Sequence, residues 1–326
     1  MKKQIYFLLI AIFASTQIGE TASIGLTYND CGISLGNSRR LTGLRINAID
    51  KYVENVNGVN LTLWIPDKNP DFIMNGLAVG LVGVAAGDIN GITIGGLGVA
   101  ADRIDGVALG SVGLGVDRVR GLAIGGIGVG GDEIAGLAIG GIGAGVDNLR
   151  GIAIGGIGVG GDSLKGLAIG GIGAGFDIIK GAVIGGIGAG GNRIEGLAIG
   201  GIGAGADDIK GVVIGGIGAG GNSIRGLAIG GVGVGAHEIS GVVLGGVGAG
   251  GNYISGLSIA GLGIRADEIK GMAITGYCHA RERFSGVSIA VLNIAGELSG
   301  LQIGVINIAK NNKAPFKVLP IFNYHK

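Results

Sequence analysis

Apolar side chains recur along this chain with a period of fifteen, where a lone strand or helix would show two or 3.6. Gly196 to Lys210 reads GLAIGGIGAGADDIK. Numbered from its leading glycine, its apolar residues stand at positions 2, 4, 7, 9 and 14: Leu197, Ile199, Ile202, Ala204 and Ile209. The unit repeats without a gap fourteen times, from Gly76 to Ser285. Self-similarity at a fixed period signals identical units stacked on one another. Positions 2 and 4 share one face of a strand, and 7 and 9 have the opposite parity. The switch coincides with Gly-Gly at 5 and 6, and Gly with Asp or Asn at 10–12 supplies a second corner. Three short sides with 2/4, 7/9 and 14 turned inward satisfy every apolar position. The expected fold is all-β, a triangular β-solenoid of 15-residue coils whose buried Leu and Ile ladders repeat about every 4.8 Å.

The competing fold is an up-and-down antiparallel β-barrel with one strand per unit. Position 11 alternates between Gly (Gly131, Gly161, Gly191, Gly221, Gly251) and a larger residue (Val146, Phe176, Ala206, Ala236, Ala266), as turns at two ends of a barrel would. Position 12 is Asp in six consecutive units, Asp102 to Asp177. Stacked in a solenoid, these carboxylates would repel by on the order of 1 kcal/mol per neighbour in water. A membrane barrel, however, needs aromatic girdles and one apolar face per strand, and the array has neither. The coil is the preferred expectation.

Composition narrows the class. With 77 glycines among 326 residues but four prolines and no G-X-Y period, the chain is neither collagen-like nor low-complexity filler. A net charge of +1 gives no electrostatic basis for nucleic-acid binding. Lys2 and Lys3 precede an apolar run, Ile5 to Ala14, too short to span a bilayer, so residues 1–22 are expected to be a secretory signal peptide. Residues 23–75 form an entry and capping segment with the single Trp64 and a P-D-K-N-P turn. Residues 76–285 are the array, and 286–326 hold degenerate repeats and a cap.

Candidate chemistry is sparse. G-x-G-x-x-G windows such as Gly126 to Gly131 recur in nearly every unit with no helical pattern beside them, so no nucleotide or other cofactor is expected. Gly203 to Lys210, GAGADDIK, resembles a calcium nonapeptide, which makes Asp132, Asp147, Asp162, Asp177 and Asp207 weak calcium candidates. That motif has a nine-residue period, however, and an Asp or Asn bonding its own turn explains the same residues. Cys31 and Cys278 fall far apart in a solenoid but could pair in a closed barrel. Cys278 and His279 are adjacent, hence on opposite strand faces, and no catalytic set stands out. On the expected coil, Gly and Ala at positions 3 and 8 would form flat, weakly apolar faces suited to self-association or a surface partner.

At the C-terminal end, Gly300 to Ala309 reads GLQIGVINIA and Gly286 to Ala295 reads GVSIAVLNIA. These units resemble the bacterial surface-repeat proteins of leptospiral type, whose pattern is G-[VL]-Q-I-G-x-x-N-[IV]-A; Gly58 to Trp64, GVNLTLW, is similar. In the central array the Gln and Asn of that pattern become Ala123 and Gly128 and their equivalents. The resemblance implies export and cell-surface or outer-membrane association, and it supplies no catalytic residues. The expectation is an exported surface repeat protein with a structural or interaction role and no enzyme activity. An outer-membrane barrel channel and a calcium-dependent surface module are the alternatives.

Overall fold

The computed structural model describes residues 23–64, 66–67 and 69–326, so the expected signal segment lies outside the described residues. No helix occurs among the described residues. The chain forms two compact units, Met1–Val146 and Asp147–Lys326.

In the first unit, β1 (Ser23–Tyr28) pairs antiparallel with β2 (Cys31–Gly36) as a closing hairpin. Every later pairing there is parallel: β3 (Arg40–Asn47), β4 (Asn55–Thr62), β5 (Ile73–Gly80), β6 (Gly83–Gly95), β7 (Gly98–Gly110), β8 (Gly113–Gly125) and β9 (Gly128–Gly140). Leading glycines pair with leading glycines, as in Gly43 with Gly58 and Gly106 with Gly121. The entry segment already belongs to this ladder. Gly58 pairs with Gly76 across the 18-residue unit, so its three extra residues loop out without shifting the register. Asn69 Nδ2 donates to the Val53 carbonyl (2.6 Å), and Phe72 is buried at the base of that loop.

β10 (Gly143–Gly155) carries the boundary between the units. In the second unit the pattern runs through β11 (Gly158–Gly170), β12 (Gly173–Gly185), β13 (Gly188–Gly200), β14 (Gly203–Gly215), β15 (Gly218–Gly230), β16 (Gly233–Gly245) and β17 (Gly248–Ala260). β18 (Gly263–Ala309) winds through the last coils, and β19 (Val318–His325) closes the unit antiparallel to its end. The fold is a β-solenoid of stacked parallel 15-residue coils. Parallel, in-register pairing excludes the up-and-down antiparallel barrel.

The side assignment differs from the expected one. Position 14 is inside, as in Ile194, Ile209 and Ile224, and so is position 9, as in Ala204 and Val234. The other inward residues are at positions 3, 5 and 11: Ala198, Gly200 and Phe176 are buried. Leu and Ile at 2, 4 and 7 face outward. The coil is too narrow to hold them. A Cβ on Gly200 would sit 1.8 Å from the carbonyl oxygen of Gly203 across the bend, so only small residues fit at this corner. The bend at 6–7 keeps the alternation and swings residue 7 out. The one parity switch falls at 12–13.

Close coil-to-coil approach also accounts for the glycines at position 11. A Cβ on Gly191 would lie 1.8 Å from the Phe176 carbonyl oxygen, and one on Gly131 would lie 2.1 Å from that of Val116. From Val116 to Ala266 a larger residue in one coil is followed by glycine in the next, within a solenoid and without alternating turns, whereas Ala86, Ala101 and Val116 follow one another with no glycine between them.

Candidate interaction faces

Outward Leu and Ile convert one side of each coil into a ladder of branched apolar side chains. In the second unit Ile172, Ile187, Ile202 and Ile217 at position 7 are 48–52% exposed, and Leu197 and Ile199 beside them are half-buried by their own ladder neighbours. Backbone bonds hold the rows in line: Ile172 N–H donates to Ile157 O and Ile187 N–H to Ile172 O, both at 2.7 Å. Positions 1–10 carry no charge in any coil from Gly151 to Gly250. In the first unit Leu97, Val112, Ile127 and Ile142 form the equivalent row, 42–56% exposed. The surfaces open to a partner are thus Leu/Ile faces. The Gly/Ala faces expected from the sequence are largely turned to the interior, because position 3 lies inside.

Toward the C-terminus this side is sculpted. Position 6, glycine in the regular coils, becomes Val291 and Val305, which stand 62% and 65% exposed beside Ile289 and Ile303. They border a shallow apolar groove of about 510 Å³ with Ile259 and Ile274.

Charges collect on the remaining side. Lys165 pairs with Lys180 in the ladder, Glu195 with Lys210, and Lys210 with Arg225, giving a mainly basic row at position 15. Lys180 Nζ lies 3.8 Å from Glu195. The calcium candidates lie along the opposite edge of that side, at position 12, and Asp132, Asp147, Asp162, Asp177 and Asp207 are all exposed. Beyond Asp177 neutral amides alternate with carboxylates: Asn192 donates to Asp177 (3.3 Å) and Asn222 to Asp207 (3.2 Å). No group of three or more His, Cys, Asp or Glu residues converges among the described residues. From Asp102 to Asp177 the carboxylates follow one another in consecutive coils, turned to solvent along a row and not converging on a common point.

Polar residues enter the interior only near the ends of the ladder. At positions 3, 5 and 8 of an entry coil, Arg45, Asn47 and Asp50 are buried, and the Arg45 guanidinium donates to Asp50. Arg45 also donates to Asn60 (2.8 Å) and Asn37 (2.9 Å), and Thr62 to Asp50 (2.6 Å). Near the other end, Asn293 Nδ2 donates to Asn307 Oδ1 (2.7 Å), with both residues fully buried. The Gln and Asn of the sequence pattern are therefore interior residues. The Gln position stays in the core of the array as Ala123, whereas the Asn position becomes the half-buried Gly128 and the inward place passes to Val129 at position 9.

Cys278 occupies the same interior column as Asn293 and Asn307; burial pushes its thiol up to about 12. His279 points the other way, its ring 5.9 Å from that of Tyr277. Partial burial, then the charges of Arg265, Lys310 and Arg281, hold its pKa below the usual imidazole value. The two side chains form no nucleophile pair. Both cysteines are free, Cys31 exposed and Cys278 buried. No family model, curated protein or solved structure matches the chain.

Proposed function

We propose that this chain is an exported bacterial surface protein with a structural or interaction role and no catalysis, acting through its Leu/Ile faces. The observation that carries this is the uncharged ladder at positions 2, 4 and 7. A monomer seldom leaves more than a few hundred Å² of contiguous apolar surface bare without a use for it. Repeat arrays act through extended surfaces of this kind. The basic, apolar and small-residue succession from Lys2 to Ala22 supports export, and the resemblance of Gly286 to Ala309 to surface-repeat units points the same way.

Fractionation of bacteria producing the chain with a C-terminal tag tests the proposal, together with protease treatment of intact cells and N-terminal sequencing of the product. The expected result is a chain shortened by about 15–30 residues and accessible from outside. A full-length chain that remains with the cytoplasmic fraction overturns it. The calcium-dependent alternative has no chelating geometry behind it. It requires a rise in melting temperature with millimolar Ca²⁺, and no such shift is expected.

A further inference from the structure

We infer that the Leu/Ile side of the second unit is the contact between two copies of this chain, a deepening of the interaction role proposed above. Eleven leading glycines, from Gly151 to Gly300, each start a coil there. At about 4.8 Å per coil and roughly 15 Å of side, the face covers on the order of 800 Å². That matches the area each partner contributes to a stable interface of standard size. Two identical ladders share one row spacing, so the ridges of Ile199 and its neighbours can seat between those of the second copy, as inner faces do when sheets pack about 10 Å apart. A two-fold contact uses the same patch on both copies and closes at the dimer.

A lipid surface is the other candidate, and the regular coils of this face lack what that requires; exposed aromatic residues come only at its C-terminal end, where Phe322 and Tyr324 of β19 lie beside Ile303 and Leu301. Apolar surfaces that dock on membranes carry Trp or Phe among the inserted residues and a cationic rim. Between Gly151 and Arg265 the only aromatic residues are Phe176, which is buried, and Tyr253, which lies on the charged side. The basic row is interrupted by Glu195, which pairs with Lys180.

Charge also selects the symmetry. A two-fold axis across the coils would set the Lys165–Lys180 row of one copy against the same row of the other. An axis along the stack sets that row against the neutral position-7 row and aligns each coil with the same coil of its partner.

Sedimentation of the purified full chain, with circular dichroism to confirm folding, provides the test. The wild type is expected as a dimer. The double variant Ile199→Lys/Ile229→Lys is expected to weaken dimerisation roughly 100-fold or more, since it leaves unpaired charge in the contact. The control Ser223→Lys, on the charged side, should leave dimerisation unchanged. In a Cys31→Ser background, Ile169→Cys, Ile199→Cys and Ile229→Cys should each crosslink between copies with a bis-maleimide about 10 Å long, the spacing of packed sheets, whereas Ser223→Cys should not. A wild type that stays monomeric at about 100 µM, well above micromolar affinity, overturns the inference. So does a dimer that survives the lysines, or a monomer that pellets with vesicles containing phosphatidylglycerol. Because association is read on purified protein, its failure leaves the export result standing, and the reverse also holds.

Discussion

The carbonyl oxygen of Gly196 lies 2.1 Å from the place where a Cβ on Gly211 would be, one coil later. Gly211 also has φ +134°, a conformation that L side chains rarely adopt. Gly211→Ala is therefore expected to destabilise the second unit by at least about 2 kcal/mol, combining dihedral strain with displacement of a ladder strand. Gly203 is different, since its Cβ would meet nothing closer than the Gly218 carbonyl oxygen at 3.8 Å and its φ is not positive. Gly203→Ala should be neutral or stabilising by up to about 1 kcal/mol, through loss of unfolded-state freedom. Urea unfolding of both variants checks the contrast. Equal effects would mean that glycine content alone, and not position, matters.

Ile209 and Ile202 test which way the coil faces. Ile209 is 1% exposed and Ile202 is 49% exposed, although both are isoleucines in one unit. Ile209→Ala should cost about 2–4 kcal/mol because it opens a cavity in a close-packed column. Ile202→Ser should cost the folded monomer less than about 1 kcal/mol, a surface-sized effect. Unfolding must be followed at protein concentrations low enough to keep the chain dissociated. A cost at Ile202 comparable to that at Ile209 would restore the inward position 7 expected from the sequence.

The period, the all-β class and the neighbourhood of the two bends were legible because they depend on spacing, which glycine placement marks directly; the parity switch expected at the Gly-Gly pair does not occur. The side assignment was not, because hydrophobicity ranks Leu197 and Ile199 above Ala198 and Gly200 while the coil ranks them by volume. Nothing in a one-dimensional pattern states that the space beside Gly200 is closed by the Gly203 carbonyl. Phe176 followed by Gly191 was a usable clue to close coil-to-coil packing, yet an alternating-turn barrel explained it equally well. The outward Leu/Ile face was missed for the same reason: an outward ladder of isoleucines has the composition of a core.

Arg45 and Asp50 form the one fully buried ion pair among the described residues, with side chains 0% and 3% exposed. Burying two charges is offset here by amide and hydroxyl partners from Asn37, Asn60 and Thr62. Asp50→Ala removes the countercharge and leaves a guanidinium sealed in the coil, so a loss of about 3–5 kcal/mol is expected in the first unit. The apolar double replacement Arg45→Met/Asp50→Leu should lose much less, since it strands no charge. Proteolysis kinetics of the entry coils, read by mass spectrometry, would separate these outcomes. An Asp50→Ala variant as protease-resistant as the wild type would show that the pair does not hold the end of the ladder.

Cys278 makes stability depend on pH in the alkaline range. Its thiol ionises near 9.0 when unburied and is pushed up to about 12 inside the coil, because the thiolate would be stripped of water. Below pH 9 the thiol is protonated in both folded and unfolded chains and contributes no pH dependence. Between about 9 and 12 the unfolded chain loses the proton and the folded one keeps it, so the unfolded state binds fewer protons and folding stability falls as pH rises. The slope from this group is about 1.4 kcal/mol per pH unit at full effect. Cys278→Ala should flatten that part of the profile relative to wild type, measured by urea midpoints from pH 8 to 10.5. At pH 8 a thiol reagent should label Cys31 quickly and Cys278 only after denaturation, since a protonated, buried thiol is a poor nucleophile. Rapid labelling of both cysteines in the folded chain, or an unchanged alkaline slope in Cys278→Ala, would show that this column is open to water.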